Sequence, residues 1–590
     1  MGPNLKDVRV KIRREFLTDW IKNPREAHKD GKGNAFRPDT KMPVFRWVDD
    51  EEVKDAAAFI WQRANDPAEF PEMNLPAFVP GDAAKGEKLF KDANGCLICH
   101  SIGTGADRVG KDYAANLSNL GEKNRPEYVM RWIYDPRTRL VAYDPRIKKD
   151  VSGASKDDPR LVWAQHTVMP NFRLSEEDAR NIATYLTSQK RTDVTYEAAT
   201  WLDDASRFER GRKIVQYQGC AGCHEIKGLE DEKGIGTELT FEGSKPLDRL
   251  DFGHLTTMAE RGEEPLKDFR TLEDGVQLFP KDEPWYRPRN FFLHKLAQPD
   301  VFDTSKYLPD RFSRLRMPQF KFSAQEIHDV TTFVLGSVEP KVPESFRYKP
   351  EEAGQAIREG WWVVKKYNCQ GCHQVMPLDQ PSLWSVPFFA EKIAANARDQ
   401  FLPPTLVGVG ARLRPEWMAK FLRDPSLGGD RAAPKSVRAH LEVRMPTFSL
   451  SEDEIAKLVR FFQALSKQPP VVQSPELKPL SPAELKAANA IWKAANCMQC
   501  HVIDGMKPTD QTKAPNLSYV TQRLNAEWMH RWIRNPPAMN PATAMTKFFG
   551  EEPSPDGTWR YMTALPELSG ITEDHAQLMV RFLLQGLAGK

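Results

Sequence analysis

The sequence predicts a chain of tandem helical modules. Three observations carry this expectation. A Cys-x-x-Cys-His pattern occurs four times. Each is preceded by an amphipathic stretch at helical period, and each is followed at a distance by a methionine loop and a second such stretch. At 590 residues the chain is too long for one core, so several domains are expected.

The eight cysteines decide the chemistry. All fall in the repeated pattern: Cys96, Cys99 and His100; Cys220, Cys223 and His224; Cys369, Cys372 and His373; Cys497, Cys500 and His501. This is the attachment signature of c-type haem. Two thiols three positions apart lie on one side of a helical turn and add across the vinyl groups of one porphyrin edge. The histidine that follows offers its imidazole to the iron. A redox dithiol or half of a zinc site also uses CxxC. Neither explains a histidine directly after the second cysteine in all four cases.

The stretches before the cysteines are "GDAAKGEKLFKDANG", "DASRFERGRKIVQYQG", "EEAGQAIREGWWVVKKYN" and "SPAELKAANAIWKAAN". Gly86, Gly211, Gly360 and Ala488 match in position. After the cysteines come helices that end at proline, with Trp132, Leu296, Phe421 and Trp532 near Pro136, Pro299, Pro425 and Pro536. Proline biases the residue before it away from the helix, so the chain turns extended there. Then follow the loops with Met169, Met317, Met445 and Met545, the last with threonine in place of proline. Thioether sulfur suits low-spin iron, so these methionines are the expected sixth ligands. Each repeat closes on a helix with an aromatic at one register: Tyr185, Phe333, Phe461 and Phe582. A small residue facing that aromatic lets two helices cross closely.

With these parts in order, each repeat resembles a class I cytochrome c domain. The resemblance covers nearly the whole chain. It implies an all-α fold, a tandem array of cytochrome c-like domains with loop insertions, and four covalent haem c groups. It also implies a loop carbonyl that accepts the proximal histidine's Nδ1–H. Pro515 and Pro404 fit that role; the first and second repeats have "AANL" and "GTEL" there. The expected domains are 76–195, 196–345, 346–472 and 473–590, joined by proline-rich linkers.

Residues 1–75 match the second half of a repeat. "GPNLKDVRVKI" aligns with "APNLSYVTQRL", Trp20 and Pro24 with the helix that ends at proline, Met42 with the ligand loop, and Phe59 with the aromatic register. No CxxCH precedes them. The expectation is a partial domain whose Met42 has no iron of its own and whose first half, with any signal or anchor, was cut away. Loss of haem from an old repeat is the competing explanation.

Some residues rival the chosen ligands. His166 stands three positions before Met169, and Met562 follows Met545. In both cases the chosen methionine keeps its loop register. Met376 is too close to its own CxxCH to reach the opposite face. His28 has no porphyrin tethered near it, and His254, His294, His328, His440, His530 and His575 read as surface or packing residues. The long insertions, including "DPRIKKDVSGASKDDPR", "MAERGEEPLKDFRTLEDG", "PSLWSVPFFAEKIAANARDQ" and the stretch after Met545, are expected as surface loops.

Composition narrows the function classes. With 84 basic and 81 acidic residues the net charge is +3, which gives no reason to propose nucleic acid. Mean hydropathy is −0.57, and no apolar run is long enough to span a bilayer. The leading expectation is a multihaem electron carrier with redox partner proteins. One alternative is a haem enzyme of the peroxidase or nitrogen-oxide reductase type, with one open iron. Another is the cytochrome subunit of a membrane quinol-oxidising complex. The family implies haem attachment outside the cytoplasm, hence a periplasmic or outward-facing location.

Overall fold

A computed structural model carries side chains for the chain. It describes residues 2–590 except 25–39, 41, 93–94, 191–194, 233–235, 254, 264–270, 272–274, 276, 281, 304–312, 314, 321, 340–350, 396–400, 430–435, 439, 442, 470–476, 504–513, 541–542, 551 and 587–590. The chain is mostly helical, about 49% helix and 6% strand. His28 and His254 lie outside the described residues, as do most of the "MAERGEEPLKDFRTLEDG" insertion and parts of three of the expected linkers.

The helices form where the pattern places them. The mid helices are α1 (Arg14–Lys22), α4 (Pro126–Tyr134), α7 (Pro288–Ala297), α10 (Pro415–Arg423) and α13 (Ala526–Arg534). Their C-caps, Asn23, Asp135, Gln298, Asp424 and Asn535, all have φ between −143° and −154°. The residue after each is proline, which excludes the α region from the cap.

The closing helices are α2 (Asp50–Arg63), α5 (Glu176–Ser188), α8 (Ala324–Gly336), α11 (Glu452–Leu465) and α14 (His575–Arg581). Asp49, Ser175, Ser323, Ser451 and Asp574 cap them by accepting a backbone N–H. Ser323 and Ser451 add the reciprocal bond from Glu326 and Glu454. The leading helices are α3 (Ala83–Lys91), α6 (Phe208–Tyr217), α9 (Glu352–Lys366) and α12 (Pro482–Ala494).

A leading helix crosses a closing helix at a small residue. A Cβ on Gly86 would overlap the Asn181 carbonyl, one on Gly211 the Asp55 carbonyl, and one on Gly360 the Phe461 side chain. Ala488 is fully buried at the matching place. The aromatics meet beside the crossing: Phe90 with Tyr185, Phe59 with Phe208, Trp361 with Phe461 and Trp492 with Phe582.

The partnership of α2 with α6 differs from the expected domain boundaries. Residues 1–75 do not stand apart. Val8, Phe16, Val53, Phe59 and Ile60 share one core with Leu202, Ile214, Val215, Ile226 and Leu229. The 196–232 stretch therefore packs on the chain's opening rather than on the residues that follow it. The described residues between 236 and 338 form a separate half-unit with its own core of Leu250, Phe252, Phe291, Phe302 and Ile327. The physical reason is that both closing halves offer the same kind of face, and α2 takes the single leading helix available.

The units meet edge to edge by short backbone bridges. Val44 pairs with Gln319, Ile12 with Asn124, Asn171 with Thr447 and Leu413 with Leu524. The units then run in the order half-unit, Cys220 unit, Cys96 unit, Cys369 unit, Cys497 unit. Seams between methionine loops alternate with seams between the strands that precede the mid helices.

Two insertions are structured. Residues 138–164 form a three-stranded antiparallel sheet in the order β4-β3-β5, from β3 (Thr138–Asp144), β4 (Lys149–Val151) and β5 (Val162–Ala164); β1 (Ser101–Ile102) and β2 (Val109–Gly110) make a smaller ladder. This corrects the expectation of helices and surface loops alone. Leu140 and Val141 pack with Val10, Phe70, Met73 and Tyr128, so the sheet fills a seam. Leu383, Val386 and Phe389 of the third repeat's insertion enter the core of the Cys96 unit. Among the described residues no helix is long and apolar enough to cross a membrane.

Candidate functional site

Each CxxCH follows its leading helix through one left-handed residue. Gly95 and Gly219 have φ of 66° and 68°, Asn368 and Asn496 of 52° and 50°. Glycine and asparagine are the residues that adopt this conformation at least cost. Their presence before all four first cysteines is a signal that the sequence reading did not use. The cysteines then sit on a single helical turn, closed in each case by the histidine N–H bonding to the first cysteine's carbonyl at 2.9–3.1 Å.

All eight thiols are free of disulfides. Burial pushes the Cys96, Cys220, Cys369 and Cys372 thiols up to about 12, and Cys497 to about 11.

Each CxxCH histidine is held by a backbone carbonyl. The Nδ1 of His100 donates to Ala115 at 2.7 Å; His224, His373 and His501 donate to Pro3, Pro404 and Pro515, each at 2.8 Å. Pro404 and Pro515 are the expected acceptors. Ala115 serves in the first repeat. In the second, Pro3 replaces the "GTEL" loop, 221 positions away in sequence. Desolvation lowers the pKa of all four imidazoles, opposed in each by the carbonyl. The result is a neutral ring with Nδ1 occupied and Nε2 left over, the form that ligates a metal.

The methionine loops share local geometry. Trp132 Nε1 donates to Met169 Sδ at 3.0 Å, and Trp532 Nε1 to Met545 Sδ at 3.0 Å. The amides of Met169 and Met545 both bond a threonine hydroxyl two residues back, Thr167 and Thr543, at 3.2 Å. Met545 thus keeps the loop form although threonine replaces the proline. Its rival Met562 is 59% exposed, and His166 is exposed as well. Arg173 ties the Met445 loop to the Met169 loop, bonding the Met445 carbonyl at 2.8 Å and Thr447 Oγ1 at 2.6 Å.

The expected pairing of His224 with Met317 is not the one that the fold assembles. The closing half packed on His224 carries Met42. Gln218 Nε2 bonds the Arg46 carbonyl at 3.0 Å, as the Tyr367 hydroxyl bonds the Ser449 carbonyl at 2.8 Å in the Cys369 unit. Gln218 and Tyr367 both stand two residues before their first cysteine, and Arg46 and Ser449 both stand four after a loop methionine. Met317 instead borders a cleft with Arg46, Tyr217 and Gln218 from the neighbouring half-unit.

The CxxCH turns of adjacent units touch. Asn368 Nδ2 lies 3.6 Å from Cys99 Sγ, and a Cβ on Gly371 would press on Ile98. Tyr113 of the Cys96 unit donates its hydroxyl to the Lys366 carbonyl.

A cationic group lies where the Cys369 and Cys497 units meet. Arg523 is buried, and burial together with Arg438 and Arg412 lowers its pKa far below the usual range. Burial, then Arg438, pulls Arg412 to about 9, and its Nε has no partner among the described residues. Arg412 and Arg438 also act on His373. One buried and two half-buried guanidiniums so placed would be favoured by a nearby anion. No group of three or more His, Cys, Asp or Glu fit to hold a metal ion occurs among the described residues. No family model, curated protein or solved structure matches this chain.

Proposed function

We propose that the chain is a multihaem c-type cytochrome, a tandem array of haem-binding units that passes electrons along its length. The observation that carries this reading is the fourfold conjunction of two free cysteines on one turn with a histidine whose Nδ1 is fixed by a carbonyl. His100, His224, His373 and His501 would be the proximal ligands. Met169, Met445 and Met545 would complete three irons, and Met42 the Cys220 iron in place of Met317. Haem c supplies a reversible one-electron iron couple. Histidine with methionine ligation sets its potential high.

The chain's own residues supply the rest. The carbonyls orient the imidazoles. Trp132 and Trp532 hold the thioether sulfurs in place. Arg412, Arg438 and Arg523 would offer countercharge to haem carboxylates, which would account for three cations brought together at one seam. The eight cysteine thiols would hold the haems as thioethers. With no iron left open, a carrier is favoured over a haem enzyme of the peroxidase or nitrogen-oxide reductase type. Redox partner proteins, including subunits of a membrane respiratory complex, are the proposed partners, and an outward-facing compartment the proposed location. The touching CxxCH turns of the Cys96 and Cys369 units favour a wire over four independent carriers.

Stopped-flow reduction with a substoichiometric donor tests the proposal. Electrons should equilibrate among haems within one molecule at a rate independent of protein concentration. A rate that scales with concentration would mean isolated carriers.

A further inference from the structure

The closing helix α8 is built like the others but, among the described residues, carries no leading helix. Its register aromatic, Phe333, is 76% exposed, whereas Phe59, Tyr185, Phe461 and Phe582 are between 0% and 7% exposed. The rest of the half-unit is formed as elsewhere. A Cβ on Gly243 would overlap the Leu335 carbonyl, as one on Gly121 would overlap Thr187 and one on Gly410 Phe462. The chain thus holds five closing halves and four leading helices among the described residues.

The exposed stripe of α8 has the polarity of one particular partner. In the Cys220 unit, Asp55 stands four residues before Phe59 and receives Arg207 Nη1 at 2.7 Å and Arg210 Nε at 2.8 Å. On α8 the residue four before Phe333 is Asp329, exposed and bonded to Gln325 of its own helix at 2.8 Å. The corresponding residues on α5, α11 and α14 are Asn181, Lys457 and Leu578. Only α6 among the leading helices has arginines both one and four residues before its small crossing residue.

Connectivity agrees. Counting six residues back from Gly121 and Gly410 gives Ala115 and Pro404, the carbonyls that hold His100 and His373. The same count from Gly243 gives Thr237. Thr237 follows His224 by 13 residues, where Ala115, Pro404 and Pro515 follow their histidines by 15, 31 and 14.

We propose that α8 is a second seat for the segment Phe208–His224, so that this segment exchanges between two closing halves, one carrying Met42 and one carrying Met317. The exchange rests on the haem reading for its redox meaning, since it changes which methionine faces the Cys220 haem. The docking itself rests on the helix faces alone. Charge complementarity between Asp329 and the pair Arg207 and Arg210 selects this occupant over the other leading helices. Phe333 and the stripe around it gain the cover that Phe59 gives up.

Hydrogen exchange read by mass spectrometry on the full-length haem-loaded protein tests this. Asp55→Arg repels Arg207 and Arg210 from α2; the isosteric Asp55→Asn serves if reversal prevents folding. Amides of 324–336 should then exchange roughly tenfold or more slowly, while those of 50–63 exchange faster. Adding Phe333→Asp should abolish the gain. Faster exchange in 50–63 with 324–336 unchanged overturns the proposal. So does a gain that survives Phe333→Asp, or one that appears only with doubled molecular mass, which would make a second copy the occupant. A haem count below four would sink the haem reading yet leave the amide result to decide the seat.

Discussion

Asp7 is nearly buried, and burial first, then Asp150, pushes its carboxyl up to about 6 against the pull of Arg139, Lys11 and Arg131. A raised carboxyl pKa means that the folded state binds the proton more tightly than the unfolded one. The ionised form therefore destabilises, and stability is lost as pH rises from the ordinary value near 3.8 through about 6. Asp7→Asn should be more stable than the parent by roughly 2–3 kcal/mol at pH 7.5, with no difference near pH 4. Denaturant midpoints at the two pH values check this. Arg523 supports a second prediction. At an effective dielectric of about 20, a neighbouring unit charge is worth on the order of 1–2 kcal/mol, or tens of millivolts. Arg523→Gln should lower one haem potential by that amount, because a cation favours the reduced iron; spectroelectrochemical titration reads it. The four cysteine turns were legible in sequence because CxxCH is a local pattern. The arginine cluster was not, since Arg412, Arg438 and Arg523 come together only across a seam between units.

At the scale of elements, the helix crossings set the tolerance to change. Gly86→Ala would drive a methyl into the Asn181 backbone and should cost roughly 1–3 kcal/mol, lowering the melting temperature. Gly236→Ala meets nothing and should leave the melting temperature unchanged. The closing helices were legible from the methionine loops before them and the aromatic register, both of which act within one or two turns. The sheet over 138–164 was not. Its pairing is nonlocal, and Leu140 and Val141 are buried by Val10, Phe70 and Met73 from residues of another unit. The insertion with Phe389 was hidden for the same reason: it is apolar because a neighbouring unit covers it.

For the whole molecule, alternate seams string the units in a row, and the order in space is not the order in sequence. The chain's opening completes the Cys220 unit through Pro3 and α2, a pairing that no local pattern reveals, because "GTEL" also lies at a workable distance from His224. Arg173 is the tie between the Met169 and Met445 loops. Arg173→Ala should slow electron equilibration between the Cys96 and Cys369 units while leaving every haem attached, as stopped-flow and absorbance together would show. Proximity of the CxxCH turns makes these two units the tightest link of the proposed wire. The most direct measurement of the central claim is the pyridine haemochrome of the purified chain, matured where haem c is attached, set against its protein concentration. Four thioether-linked haems per polypeptide are predicted; fewer than four, or zinc bound to the cysteines in their place, would contradict the account.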